Sequence, residues 1–272
     1  MGKQIISKLL PHLNKINWPT MQAASEGGRR IYMQGIERID DFKGDPKVLT
    51  AALRLFQSAD SQPYAFAGVA YLLVAASREA DGSYDEAGLE AAMAWLEKAQ
   101  ESEPDIVDIN MIEAYIYIYG GQLENARLVL DYLLAQESDN HHLHRAEIAY
   151  WITMKDLDQA VTWFDEASQS APNVPQRLRL RVQLGDLYLE AKQQEKAIEV
   201  LKEATHFDKE NHLLWHKMCI ANWQLKDFEE AEMCNRRALK IQDFAAGRKM
   251  EEALKKQKGG NTGMLGRLLG KS

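Results

Sequence analysis

Two groups of histidines stand at spacings that could bind a metal ion. Three of them fall within residues 141–144, and His212 and His216 lie four residues apart, which places both on one face of a helix. Zinc accepts imidazole nitrogens at this spacing. However, Leu213 occupies the place where a zinc protease carries its glutamate, and neither group is joined by a complete ligand set. We therefore expect solvated histidines, no metal site and no cofactor.

The residues that could act as nucleophiles or as acid–base pairs form no catalytic pattern. Cys219 and Cys234, the two cysteines of the chain, occupy places in a repeating apolar pattern, where a thiol usually packs and stays inert. Carboxylate pairs such as Asp85 and Glu86 fall in predicted turns or helix starts, where negative charge suits the helix dipole. Nucleophile elbows, dinucleotide-binding turns and phosphate-binding loops are absent from the sequence. We expect no catalytic residues and a protein that is not an enzyme.

Charge and composition narrow the class of partner. The 272 residues carry a formal net charge of −7, which argues against nucleic acid because binding phosphates requires a surplus of lysine and arginine. A protein partner is expected instead. Two cysteines are too few for a disulfide scaffold, so a reducing, cytoplasmic location is expected. No apolar run approaches the roughly 18 residues of a membrane span, and membrane contact is expected only through the termini.

Alanines recur at a fixed interval along much of the chain. Ala197 and Ala204 are followed 34 residues later by Ala231 and Ala238, and earlier stretches repeat the pattern less regularly. Each unit contains two segments of helical apolar periodicity separated by a short polar turn, which predicts a helical hairpin. A side chain larger than a methyl group would push the paired helices apart, since packed axes lie roughly 8 to 10 Å from each other. The alanines are therefore expected where the helices cross most closely.

Residues at fixed places in these units match one known repeat. Its motif carries Trp, Leu-Gly, Tyr, Ala, Phe, Ala and Pro at set places in a unit of about 34 residues. The unit that begins at Leu178 supplies five of them: Leu184, Gly185, Tyr188, Ala197 and Ala204. The chain thus resembles the tetratricopeptide repeat family. The resemblance implies an all-α fold, a right-handed superhelical solenoid of antiparallel helix hairpins with about five to six repeats and a capping helix.

The two ends of the chain differ from the repeats. We expect an N-terminal amphipathic segment over 1–24, a repeat domain over 25–241, a capping helix over 242–258 and a flexible tail over 259–272. The first segment is expected to pack on the first hairpin, with Pro11 breaking its helix; a membrane-surface position is the alternative. The tail could fray, dock on a partner, touch an anionic membrane or fold back into the protein's own groove. Its short apolar and basic peptide comprises Met264, Leu265, Arg267, Leu268 and Leu269.

In the tetratricopeptide repeat family the first helix of every hairpin lines a concave groove, and the resemblance implies which side chains face it. Carried onto this sequence, the inward places also include Leu213. Some relatives clamp a chaperone's C-terminal carboxylate with Lys and Asn at two such places, which here hold Met111 and Tyr115 in one unit, so that role is disfavoured. The candidate partner-binding residues are Asp108, Met111, Tyr115, His142, Arg145, Arg179, Val182, Asp186, His216 and Trp223.

A groove that is apolar and aromatic, with isolated charges, suits a peptide or an amphipathic helix. The sequence therefore predicts a non-enzymatic scaffold or adaptor that binds a segment of a partner protein. Two alternatives stay open: a chaperone-like holdase for a secretion or assembly system, and a structural protein that self-assembles through its C-terminal tail. The sequence leaves the partner and the oligomeric state undetermined.

Overall fold

The computed structural model describes residues 2–40, 42 and 44–269, with side chains up to residue 257. Within this part of the chain there are fourteen helices and one isolated antiparallel bridge, between Arg78 and Tyr84. The all-helical fold predicted from the sequence is thereby confirmed. The helices are α1 Gly2–Leu13, α2 Glu26–Asp40, α3 Pro46–Ser58, α4 Gln62–Ala76, α5 Glu86–Gln100, α6 Val107–Tyr119, α7 Leu123–Gln136, α8 His141–Met154, α9 Leu157–Gln169, α10 Val174–Glu190, α11 Gln194–Phe207, α12 His212–Gln224, α13 Phe228–Ile241 and α14 Ala245–Leu269.

The chain divides into two compact units, residues 1–166 and 167–272. Consecutive helices pack as hairpins in both of them: α2 with α3, α4 with α5 and α6 with α7 in the first unit, then α10 with α11 and α12 with α13 in the second. Helix α14 packs on α13, in the place where a capping helix was expected. Its backbone is helical through Leu269, beyond the expected end at residue 258 and into the segment for which a flexible linker was expected.

The alanines that mark the repeat lie at zero exposure inside the hairpins. In the pair α10–α11 the close approach also depends on Gly185, because a Cβ atom built there would lie 2.7 Å from the side chain of Leu201. Such a contact is too short for any larger residue. Small residues on facing helices therefore set the spacing of each hairpin, as the sequence indicated. The members of the set are Ala92, Ala99, Ala126, Ala160, Ala167, Ala197, Ala204, Ala231 and Ala238.

Helix α1 lies against α4 and α5, with Ile6 and Leu13 buried. The first two amides of the helix donate to the carboxylate of Glu79, at 3.1 Å from Gly2 and 2.8 Å from Lys3. The expectation that Pro11 breaks this helix was wrong, because α1 continues to Leu13. Pro11 stands in the last turn, where its missing N–H removes one helical hydrogen bond and little helix follows.

Four hairpin turns share one backbone conformation. Gly121, Lys155, Lys192 and Lys226 have φ angles of 75°, 60°, 57° and 64° and lie one or two residues beyond the C-termini of their helices. The amide one residue later donates to the carbonyl five residues back, for example from Gln193 to the Tyr188 carbonyl at 2.8 Å, which closes a Schellman motif. The same left-handed position is thus filled by glycine once and by lysine three times.

Lysine in the left-handed region costs conformational energy that glycine avoids. We expect Lys192→Gly and Lys226→Gly each to raise the free energy of unfolding by a few tenths to about 1 kcal/mol, measured by urea denaturation. The matched control is Lys202→Gly, at an exposed position inside α11, which should lower the stability by about 1 kcal/mol. Equal destabilisation at Lys192 and Lys202 would contradict this account of the turns.

Candidate functional site

The inner face of the first unit is filled by its own helix α2. The predicted groove residues Asp108, Met111 and Tyr115 on α6 are only 4 %, 1 % and 5 % exposed, so the expectation that they line an open groove is not met. The Asp108 carboxylate accepts a hydrogen bond from the Arg29 side chain at 2.6 Å, and its main-chain carbonyl accepts another from the Tyr32 hydroxyl at 2.7 Å. Both partners come from α2. This helix therefore occupies the place where a bound segment was expected.

Arg145 on α8, a second predicted groove residue, is engaged by the end of α2. Its guanidinium donates to both oxygens of the Asp40 carboxylate at 2.7 Å, a bidentate ion pair. The Tyr71 hydroxyl adds a hydrogen bond to the same carboxylate at 3.3 Å. Burial alone would lower the pKa of Arg145, but the Asp40 charge more than offsets this and raises it. The pair links α2 to α8 across a sequence separation of 105 residues.

His142 stands beside this pair. Burial, followed by the neighbouring Arg145 charge and by His141, lowers the pKa of His142 below its ordinary value. The rings of His141 and His142 meet edge to face with centroids 5.3 Å apart, and the His144 ring contacts Trp163 at 5.4 Å. His141 and His144 are buried, so the expectation that these histidines are solvated was wrong for both of them. In the described part of the chain no group of three or more potential ligands converges on one point.

The inner face of the second unit is open by comparison. The candidate residues on α10, which are Arg179, Val182 and Asp186, and those on α12, His216 and Trp223, are all partly exposed. Their places in the repeat correspond to the buried places on α6. The described side chains of the second unit thus leave this face accessible to a partner.

Several residues of this open face also hold the unit together. The Asp186 carboxylate on α10 forms an ion pair with the Lys217 ammonium on α12. The Trp223 ring packs edge to face on Phe228 at 5.1 Å. Val182 contacts the core of the second unit, where Leu201 and Leu214 are buried. The exposed parts of these side chains are consequently held in fixed positions before any partner arrives.

The His212 and His216 pair contacts an aromatic ring. Both imidazoles lie against Phe244, with centroids 4.8 and 5.0 Å apart. Desolvation, then His212 and Lys217, lower the pKa of His216. The contacts with Phe244 indicate that the two histidines pack against the residue that precedes α14.

The two thiols are buried and reduced. Burial, and then the nearby Cys234, raises the pKa of Cys219 to about 12, and burial, then Glu230, raises that of Cys234 to about 11. Both are protonated at neutral pH and are poor nucleophiles. The tail peptide Met264, Leu265, Arg267, Leu268 and Leu269 lies outside the described side chains.

Helix α2 is the functional element that the repeat pattern did not reveal. Its stretch "EGGRRIYMQGIERID" lacks the alanine places, yet two of its glycines, seven residues apart, offered a signal. A Cβ atom at Gly35 would lie 2.1 Å from the ring of Phe56, and one at Gly28 would lie 2.4 Å from Ser61. Glycines on one helix face indicate close packing on a neighbour.

Tandem antiparallel hairpins with small residues at the crossings and an inner face lined by first helices define a helical-repeat fold. Residues 178–211 match the family model described as the tetratricopeptide repeat. The match covers one repeat unit, most of the α10–α11 hairpin. Every helix among the described residues is too short or too polar to cross a bilayer.

Solved structures with the same fold share little sequence with this chain. PilF of Pseudomonas aeruginosa is 16 % identical over 78 % of this chain and 93 % of its own, with a TM-score of 0.55. MamA AMB-1 is 18 % identical over 58 % and 84 %, with a TM-score of 0.46. YrrB, described as a TPR protein with an unusual peptide-binding site, is 16 % identical over 75 % and 97 %, with a TM-score of 0.48. No curated protein matches the sequence. The likeness to PilF shows the fold.

Removing one partner of the Asp40–Arg145 pair should strongly destabilise the first unit. Asp40→Asn leaves a buried guanidinium without its counter-charge, and we expect it to cost about 3–5 kcal/mol in urea unfolding. Asp131→Asn is the control, since Asp131 pairs with Arg127 at the surface and is 65 % exposed; it should cost about 0.5 kcal/mol or less. Similar losses in the two variants would show that the buried pair does not hold α2.

The neutral His142 predicts a pH dependence. Its pKa is lower in the folded than in the unfolded chain, so the unfolded chain takes up the proton first as the pH falls. Stability is then fully present above the unfolded pKa, near 6.5, and declines below it. We expect His142→Gln to flatten the loss of stability between about pH 7 and 5, while His12→Gln, at an exposed position, leaves the profile unchanged. Parallel profiles for wild type and His142→Gln would refute the assignment.

Proposed function

We propose that the protein is a non-enzymatic interaction scaffold that binds a peptide or amphipathic helix of a partner protein on the inner face of its second unit. The observation that carries the proposal is the contrast between equivalent places. Met111 and Tyr115 on α6 are buried, whereas the corresponding Val182 and Asp186 on α10 are partly exposed. A surface that the fold fills in one unit and leaves accessible in the next is available for a segment of another chain.

The chemistry of this face fits a partner segment with both apolar and charged side chains. Leu213, at the start of α12, is 46 % exposed, and Trp223 lies near the other end of the same helix. Arg179 and the Asp186–Lys217 pair supply charges of both signs on the facing helix surfaces. Aromatic residues and arginine dominate the binding energy of many interfaces because they bury large areas at low entropic cost. We place this activity in the cytoplasm, with no nucleic acid and no cofactor involved.

Site-specific photo-cross-linking tests the position of the binding face. A benzophenone side chain replaces Leu213, and in the control it replaces Tyr132, which is 56 % exposed on α7 of the first unit. We expect cross-links to one or two proteins from native extract at position 213 and none of these at position 132, with loss of the cross-link when Arg179→Glu is added. Quantitative mass spectrometry identifies the products.

Other patterns of cross-links lead to other functions. Many unrelated hydrophobic segments captured at position 213 would indicate a holdase. Cross-links to a second copy of the chain would indicate self-assembly. The same products at positions 213 and 132, or none at either, would reject the inner face of the second unit as the binding site.

A further inference from the structure

A trough on the first unit lies between α1 and α3, on a different surface from the inner helix faces. Its volume is about 410 Å³. The floor consists of two apolar pairs at helical spacing, Ile5 with Leu9 on α1 and Leu49 with Leu53 on α3. The α3 pair is buried and the α1 pair is half-buried. The floor is therefore apolar and continuous between the two helices.

The rims of this α1–α3 trough consist of exposed residues spaced four apart along each helix. Gln4, Lys8 and His12 form one rim along α1, and Pro46 and Thr50 form the other along α3. Eight residues of α1 correspond to about 12 Å, or roughly two helical turns. An apolar floor between two rows of exposed residues can accept the apolar ridge of a third helix.

The charges of the two helices bounding the trough are all positive. Neither α1 nor α3 contains an aspartate or a glutamate, although the whole chain has a net charge of −7. Asp45, which precedes α3, is engaged in capping that helix through the Lys47 amide at 3.0 Å. Lys8 has no ion pair within the described part of the chain. The basic residues of the two helices are Lys3, Lys8, His12, Lys47 and Arg54.

We propose that the α1–α3 trough binds an acidic amphipathic helix of a partner protein. The apolar side chains of the partner helix, at positions i and i+4, lie on the floor of the trough. The glutamates or aspartates of the partner helix face Lys8 and His12 on the α1 rim. The protein's own C-terminal tail is excluded by charge, since its Arg267 and Lys271 are basic. This second site does not depend on the inner face of the second unit.

Selection from a random 16-residue peptide display library tests the proposal on the full-length chain. Peptides that bind the Lys8→Glu variant are first removed from the library. The remaining peptides are then selected for binding to wild type. We expect enriched peptides with apolar residues at i and i+4 and an excess of acidic residues. Binding of each purified peptide is measured by fluorescence anisotropy, with circular dichroism melts to confirm that every variant is folded.

Four variants locate the site and separate it from the inner face of the second unit. Lys8→Glu should weaken the selected peptides at least about tenfold, since it reverses the charge that faces them. Thr50→Trp should abolish binding by filling the trough from its opposite rim without removing a contact. Lys202→Glu, an equal charge change at an exposed position of α11, should leave the affinity unchanged. The Arg179→Glu variant should also bind normally, which separates this proposal from the proposed function.

The opposite results overturn the proposal. The proposal is rejected if no enriched peptide binds wild type more tightly than Lys8→Glu, or if the enriched peptides are neutral or basic. It is also rejected if Lys8→Glu and Lys202→Glu weaken peptide binding equally. Sedimentation with phosphatidylglycerol vesicles tests whether the trough binds an anionic membrane instead of a protein helix. Sedimentation with vesicles that Lys8→Glu abolishes, in the absence of any selected peptide, would identify a membrane contact and reject a protein helix.

Discussion

The structure depends on how closely two helices can approach within one hairpin. Where they cross, the side chains are methyl groups or hydrogen atoms: Ala197 and Ala204 are fully buried, and Gly185 leaves the space that Leu201 occupies. Larger residues on either side then interlock at the density of a protein interior. Because each hairpin is narrow, its first helix presents a face to the neighbouring hairpin, and inner faces arise as a consequence of this spacing.

Ion pairs determine whether the inner face of a unit is covered or exposed. In the first unit two ion pairs hold α2 against the inner face: Arg29 with Asp108 on α6, and Asp40 with Arg145 on α8. A buried ion pair adds little net stability over an apolar pair, but a lone buried charge is costly, so Asp108, Asp40 and Arg145 each require a partner, whereas Arg29 is 43 % exposed. The pairs therefore act as a constraint on position: α2 can lie in only one register across α6 and α8. The second unit lacks such a crossing among its described helices, and its inner residues remain partly exposed.

The sequence predicted the parts of the fold that repeat. Periodic alanines, such as Ala231 and Ala238, report local hairpin geometry, and local geometry can be deduced from spacing alone. It could not predict the filled inner face, because the decisive contact joins Asp40 to Arg145 across 105 residues and Asp40 lies outside the repeat places. Pro11 was misjudged for a related reason. The effect of a proline on a helix depends on how many helical residues follow it. Here α1 ends at Leu13, which is buried.

The distribution of charge separates residues that serve the fold from residues that remain available. Arg127 donates to both oxygens of the buried Glu147, at 2.9 and 2.6 Å, and Arg145 does the same with Asp40. A guanidinium neutralised in this way has little electrostatic attraction left for a partner. Lys8 differs because its helix and the facing helix contain basic residues but no aspartate or glutamate. In an acidic chain, a basic surface without its own carboxylates attracts an external acidic one, and the apolar floor beside it then supplies the area that makes such an encounter last.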